Sequence, residues 1–143
     1  MARIDLDLGL SDRLTLHTVG LGVLVGANAV IDFRLLGFAP RLPISSLTPL
    51  YRFMSAGFAI NALTGVMLFA SDATVKITQP VFYIKLTLIA LALVITAVIR
   101  RTVARDPARG DADLIPALGR RLAALSLLLW VGAVTAGRLM AYL

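Results

Sequence analysis

The chain of 143 residues is 59% hydrophobic and only 15% charged, and its mean hydropathy is +0.88. Soluble domains are nearer half apolar and a quarter charged, so this chain would expose large apolar surfaces in water. Its charges are also segregated, which leaves long stretches almost free of them. Composition therefore excludes an ordinary soluble domain and predicts an integral membrane protein. Because cysteine is absent, disulfides, iron–sulfur ligation and thiolate metal sites are excluded as well.

Four stretches of the chain are long and apolar enough to cross a hydrocarbon core about 30 Å thick as helices. In chain order they cover residues 14–33, 51–69, 81–99 and 122–142. Three aspartates precede the first stretch, which is a poor start for a signal peptide, so we expect that span to be retained. The predicted fold is an all-α integral membrane protein in which residues 1–143 form a single four-transmembrane-helix bundle.

Prolines and charges mark the connections between these spans. The first connection contains three prolines, which break helices, and the second is short, polar and ends at Pro80. Proline suits the first turn of a helix, so we predict that the third helix begins there. The third connection is a charged loop of arginines that runs from Arg100 to Arg121.

The distribution of arginine predicts how the chain is oriented. The first and third connections lie on the same side of the membrane, and the positive-inside rule places that side in the cytoplasm. Both termini are then outside the cytoplasm, and the expected location is the bacterial inner (plasma) membrane. The arginine-rich loop indicates topology, and no nucleic-acid partner is expected. The arginines are Arg34, Arg41 and Arg52 around the first connection and Arg100, Arg101, Arg105, Arg109, Arg120 and Arg121 in the third.

Polar residues inside the spans are the candidates for function, because they are costly in lipid and usually face the interior of a bundle. The predicted topology sorts them into three layers. The outer layer contains His17, Lys85 and Arg138, the middle layer Asn28, Asn61 and Thr64, and the cytoplasmic layer Asp32, Arg34 and Arg52.

The outer layer of His17, Lys85 and Arg138 is the candidate ligand or metal site. The three side chains either converge into a cationic pocket for an anionic or quinone-like ligand, or lie separately at the lipid–water boundary. His17 is the only histidine, so haem or copper would need a further ligand from another chain. No cofactor is expected by default. No nucleophile–base pair, paired carboxylates or phosphate loop is present, so the chain is not expected to be an enzyme.

The middle layer is predicted to contain a polar packing seam. Asn28 and Asn61 are expected to lie at similar depth and to hydrogen-bond between the first two helices, with small residues allowing close backbone approach. The alternative interpretation is a polar path along the bundle axis. In the cytoplasmic layer, Asp32 is predicted to form an ion pair with Arg34 or Arg52, because a buried unpaired charge is strongly disfavoured. The other seam residues are Thr64, Gly57, Gly65, Gly22, Gly26, Gly132 and Ala136.

Short motifs spread over about residues 14 to 95 resemble those of an uncharacterised family of small bacterial four-helix membrane proteins. Helix one opens on LHTVG at Leu16 and ends on DFRLLG at Asp32; helix two contains TGVMLF from Thr64, and helix three opens on FYIK at Phe82. More remotely the chain is similar to the membrane domain of copper-resistance protein D and to b561-type cytochromes, but it lacks their multiple histidines. The resemblance implies the fold and membrane residence.

Two hypotheses of function remain open. The first is a non-enzymatic membrane subunit or anchor, associated with a larger redox or light-driven membrane complex, which the small size and the small-residue seams favour. The second is a small transporter or a copper- or haem-handling membrane protein that uses the polar face of helix one, formed by His17, Asn28 and Asp32. A permease usually has broken helices, and here the prolines are confined to the connections. The expected partners are the lipid bilayer and either a second copy of the chain or the larger complex.

Overall fold

The computed structural model describes residues 9–104 and 117–143, and all regular structure in these two ranges is helical. The helices are α1 (Leu10–Leu36), α2 (Thr48–Ser71), α3 (Ala73–Ile77), α4 (Pro80–Ala104) and α5 (Ala117–Leu139), and one 3-10 turn covers Ile44–Leu47. Four of them, α1, α2, α4 and α5, are long and apolar enough to cross a membrane. The predicted all-α fold with four transmembrane helices is confirmed. The acidic N-terminal segment, Arg105 and Arg109 lie outside the described residues.

Local sequence signals set several helix ends. Gly37 caps the C-terminal end of α1, and its φ of 97° lies in the left-handed region that glycine adopts without strain. There the N–H groups of Gly37 and Phe38 donate to the carbonyls of Arg34 and Phe33, which satisfies the end of the helix. α4 begins at Pro80, as predicted.

The structure differs from the predicted boundaries at every span: α1, α2 and α4 extend beyond the predicted ranges 14–33, 51–69 and 81–99 at both ends. The fourth helix covers residues 117–139 instead of 122–142, because a helix continues through the arginines of the membrane interface that a count of apolar residues leaves out. The predicted polar link after α2 contains the short helix α3. From α3, the Nζ of Lys76 donates to the Leu68 carbonyl at 2.7 Å and so caps the last turn of α2.

The four spans pack in the order α2, α1, α5, α4. The two largest interfaces join α1 to α2 and α4 to α5, and a smaller one between α1 and α5 joins the two pairs. α2 and α4 form no substantial interface, and a groove lies between them. Large apolar side chains cover the outside, as lipid requires; Leu63 is 66% exposed and Leu128 70%. The buried core includes Leu24, Ile31, Leu35, Met54, Ile99 and Trp130.

α1 and α2 meet at Gly20 and Gly57, where their backbones are almost in contact. A Cβ atom added to Gly57 would lie 2.9 Å from both the Gly20 carbonyl oxygen and the Leu24 nitrogen, and one added to Gly20 would lie 2.9 Å from the Asn61 nitrogen. No side chain fits at either position unless the helices move apart. This contact fixes the register of α1 against α2.

Candidate functional site

A buried polar cluster lies inside the bundle and is centred on the Asn28 side chain. Its Nδ2 donates to the Ser126 hydroxyl of α5 at 3.0 Å and to the Asp32 carboxylate one turn along α1. Its Oδ1 accepts a hydrogen bond of 3.0 Å from the Thr96 hydroxyl of α4. Asn28, Asp32 and Ser126 are each at most 1% exposed. One amide therefore joins three of the four spans by hydrogen bonds that lipid cannot replace.

The two hydroxyls of this cluster, those of Ser126 and Thr96, were not predicted from the sequence. A threonine in a helix usually donates back to the carbonyl four residues earlier, as Thr87 does to Tyr83 at 2.9 Å. Thr96 instead donates to Asn28. The available signal was a lone hydroxyl within an apolar span, but Thr87 gives the same signal, so sequence alone cannot separate the two.

Asp32 does not form the predicted ion pair. Arg34 is buried, but its Nε donates to the Leu42 carbonyl, and Arg52 is exposed on α2. The reason is helical geometry, because residues two apart in a helix point to opposite sides. The second carboxylate oxygen of Asp32, Oδ1, is buried and has no hydrogen-bond partner. Within the described part of the chain, the Asp32 carboxyl group is therefore held by neutral hydrogen bonds alone.

Asn61 does not meet Asn28. It lies at the level of Gly20, and at about 1.5 Å of rise per residue Asn28 is about 12 Å further along α1. The Gly20–Gly57 contact sets this offset, so the predicted hydrogen bond between the two amides is not formed. The Asn61 Oδ1 is buried without a partner.

His17 of the outer layer is bonded to α2. Its Nδ1 lies 3.0 Å from the hydroxyl oxygen of Thr64, whose own proton is directed to the Ile60 carbonyl at 2.7 Å. The ring Nδ1–H is therefore the donor, and Nε2 is the nitrogen left available to a ligand. Gly65 makes room for the ring, since a Cβ there would lie 3.2 Å from the His17 Cε1.

Lys85 packs against α5, and its Nζ lies 3.7 Å from a Cβ built on Gly137. Arg138 is exposed. In the part of the chain that the structure describes, no hydrogen bond or ion pair joins His17, Lys85 and Arg138. Among residues 9–104 and 117–143, no three His, Cys, Asp or Glu side chains are grouped so as to hold a metal ion.

The small residues of the predicted seam divide into inward and outward sets. A Cβ on Gly132 would lie 3.3 Å from the Leu88 side chain, so Gly132 lies in the α4–α5 interface, and Ala136 is buried inside the bundle. Gly22 and Gly26 are exposed, and a Cβ on either would meet no atom within 4 Å. That pair of glycines faces away from the bundle.

The groove between α2 and α4 encloses about 470 Å³ and is floored by Leu24 of α1. The guanidinium carbon of Arg100 lies 5.5 Å from the centre of the Tyr51 ring, a cation–π distance. The Tyr51 hydroxyl is buried without a hydrogen-bond partner. Other lining residues are Met54, Phe58, Leu93 and Thr96, and Thr96 connects the groove to the buried polar cluster. Sequence reasoning missed this groove because it depends on which helices fail to pack.

Fold and site together define an all-α protein whose four apolar helices suit a multi-pass membrane protein, with a polar cluster inside the bundle. Comparisons with family models, with curated proteins and with solved structures gave no significant match. The resemblance to small bacterial four-helix membrane proteins therefore stays a prediction.

Proposed function

We propose that the chain is a non-enzymatic integral membrane subunit that attaches to a larger membrane complex through the outward face of α1. The observation that carries this proposal is the outward direction of Gly22 and Gly26, one turn apart and free of contacts. In lipid, two small residues at this spacing let another helix approach closely. The exposed side chains around them, Val19, Val23 and Val30, are β-branched and lose little rotamer freedom on packing.

This glycine pair is not needed inside the bundle. The α1–α2 contact uses Gly20 and Gly57, and the α4–α5 interface uses Gly132. A second, unused site of close approach on α1 supports a role in binding another helix. In this proposal the complex is a redox or light-driven one in the bacterial inner membrane. The arginine bias supports placing both termini outside the cytoplasm and the Arg100–Arg121 loop inside it.

A transporter that uses the polar face of α1 has weaker support. His17 and Asn28 are separated on that face by Leu24, which is 1% exposed, and by the contact between Gly20 and Gly57. The polar groups therefore form two separate sites with a closely packed section between them, and no path connects them in this conformation.

The test is to purify the chain from its native membrane in mild detergent and to compare variants on native gels. The parent is expected to migrate with a partner, and Gly22→Ile/Gly26→Ile is expected to migrate alone, because branched side chains block helix approach. Ala56→Ile/Ala59→Ile, on an exposed face of α2, is the matched control and should keep the partner. A parent that migrates alone or only as copies of itself contradicts the proposal. An absorption spectrum of the purified assembly tests its redox or light-driven character.

The proposed orientation has its own test. A reporter that is active only in the cytoplasm should be inactive when it is fused to the C-terminus. It should be active when it is inserted in the third connection, in place of residues 108–112. Activity at the C-terminus would overturn the orientation and leave the subunit proposal standing.

A further inference from the structure

The groove between α2 and α4, called the α2–α4 groove below, has a basic end and an apolar end. Arg100 and Arg101 line it near the C-terminal end of α4, beside Tyr51 at the start of α2. Deeper in the membrane its walls are the side chains of Met54, Phe58 and Leu93. The basic end is thus at the depth of lipid headgroups, and the apolar end extends towards the middle of the bilayer.

The two arginines have no acidic partner in the part of the chain that the structure describes. Arg100 and Arg101 are both exposed, and the Arg100 guanidinium contacts the ring of Tyr51. A ring contact leaves the guanidinium N–H groups free. Paired guanidinium groups bind phosphate strongly, because their N–H donors match two phosphate oxygens at once.

We propose that the α2–α4 groove binds one anionic phospholipid of the surrounding bilayer. Its phosphate lies on Arg100 and Arg101, and one acyl chain lies along Met54, Phe58 and Leu93. Basic pockets between transmembrane helices are a recurring way of binding anionic headgroups. This site lies on a different face from the outward glycines of α1, so it does not depend on the proposed function.

The dimensions of the groove favour a lipid over a partner helix. From Tyr51 to Phe58, and from Leu93 to Arg100, the lining runs for about 10 Å at the rise of an α-helix, whereas a spanning helix needs about 30 Å of contact surface. The volume of about 470 Å³ is within the range of small-molecule sites. Free phosphate would leave the apolar end empty.

The expected strength follows from the charges. Each Lys or Arg near the surface contributes about 1 kcal/mol to the binding of anionic lipid, so removing both guanidinium groups should weaken binding about 30-fold. A zwitterionic lipid lacks the net negative charge and should bind more weakly by a similar factor.

The experiment is native mass spectrometry of delipidated protein in mild detergent, titrated with phosphatidylglycerol or phosphatidylcholine. Arg100→Gln/Arg101→Gln should lose the preference for phosphatidylglycerol. Arg120→Gln/Arg121→Gln, an exposed arginine pair at the start of α5, is the matched control and should keep it. Equal loss in both pairs overturns the proposal, since surface charge alone then accounts for binding. Equal binding of the two lipids by the parent also overturns it, since the site then has no preference for an anionic headgroup.

A second pair of variants tests the groove without changing charge. Ala97 lines the groove, so Ala97→Phe should fill it and reduce phosphatidylglycerol binding, while Val98→Phe, exposed at the same depth of α4 but outside the groove lining, should not. Emission of the single tryptophan, Trp130, confirms that each variant is folded. Unchanged binding by folded Ala97→Phe rejects the lipid site. Crosslinking of a protein partner in the groove also rejects it, because that partner then occupies the place of the lipid.

Discussion

Adding one methyl group to Gly57 tests the contact on which the arrangement of α1 and α2 depends. The new Cβ would lie 2.9 Å from two backbone atoms of α1, closer than real Cβ contacts come, and backbone cannot move aside as a flexible side chain can. Overpacking of this kind costs about 1–3 kcal/mol of unfolding free energy. Gly57→Ala should therefore be destabilised by that amount, and Gly20→Ala by a similar amount.

Reversible unfolding of the purified protein in mixed micelles measures this cost, with helix loss followed by circular dichroism. Gly22→Ala and Gly26→Ala are the matched controls, because both change a glycine of α1 that has no atom within 4 Å of the new Cβ. The double variant Gly20→Ala/Gly57→Ala should cost less than the sum of the single variants, since one separation of the helices relieves both clashes. If Gly57→Ala matches the controls within about 0.5 kcal/mol, the close contact is not present.

Three further predictions concern single side chains. Asn28→Leu should lower the unfolding free energy by about 2 kcal/mol, because it removes two hydrogen bonds between helices and one within α1. Asn61→Leu should be near neutral in the same unfolding assay, because the Asn61 amide oxygen has no partner. The ¹⁵N shifts of the single histidine should show the neutral ring of His17 protonated at Nδ1, and Thr64→Val should abolish that preference; an Nε2–H tautomer in the parent contradicts the assigned bond. Trp130 is 1% exposed, so its emission should be blue-shifted and resist acrylamide quenching; emission like that of tryptophan in water would place it outside the core.

The features that sequence predicted are those that depend on neighbouring residues or on apolar length. The four spans follow from the length of their apolar runs, and the start of α4 follows from the missing N–H and fixed φ of Pro80. The depth at which each polar side chain lies in the bundle could not be predicted in this way. Asn28 and Asn61 each lie mid-span, and only the contact between Gly20 and Gly57 decides that they are offset along α1.

Only part of the candidate site could be predicted from the sequence. Asn28, Asp32 and His17 were recognisable as costly polar groups that must face the interior. Their partners were not, because Ser126 is 98 residues from Asn28 in the sequence and carries no feature that marks it as the acceptor. The predicted ion pair of Asp32 is wrong because Arg34 points to the opposite side of α1 and Arg52 is exposed on α2, while neutral side chains bond the carboxyl group instead. The ligand role of His17 stays a prediction.

The separation between Asn28 and its partners also has a consequence for biogenesis. The hydroxyl of Ser126 is made 98 residues after the amide that it accepts from. At about 5–20 residues per second of synthesis, Asn28 and Asp32 would wait about 5–20 s in the nascent chain for α5 to follow. In that interval Asn28 has its bond to Asp32 within α1 but lacks its partners on α4 and α5, so this polar face of α1 would contact lipid or the insertion machinery. Truncated or stalled chains would keep that polar surface exposed, which gives a membrane protease a chemical means of distinguishing an unfinished bundle from a complete one.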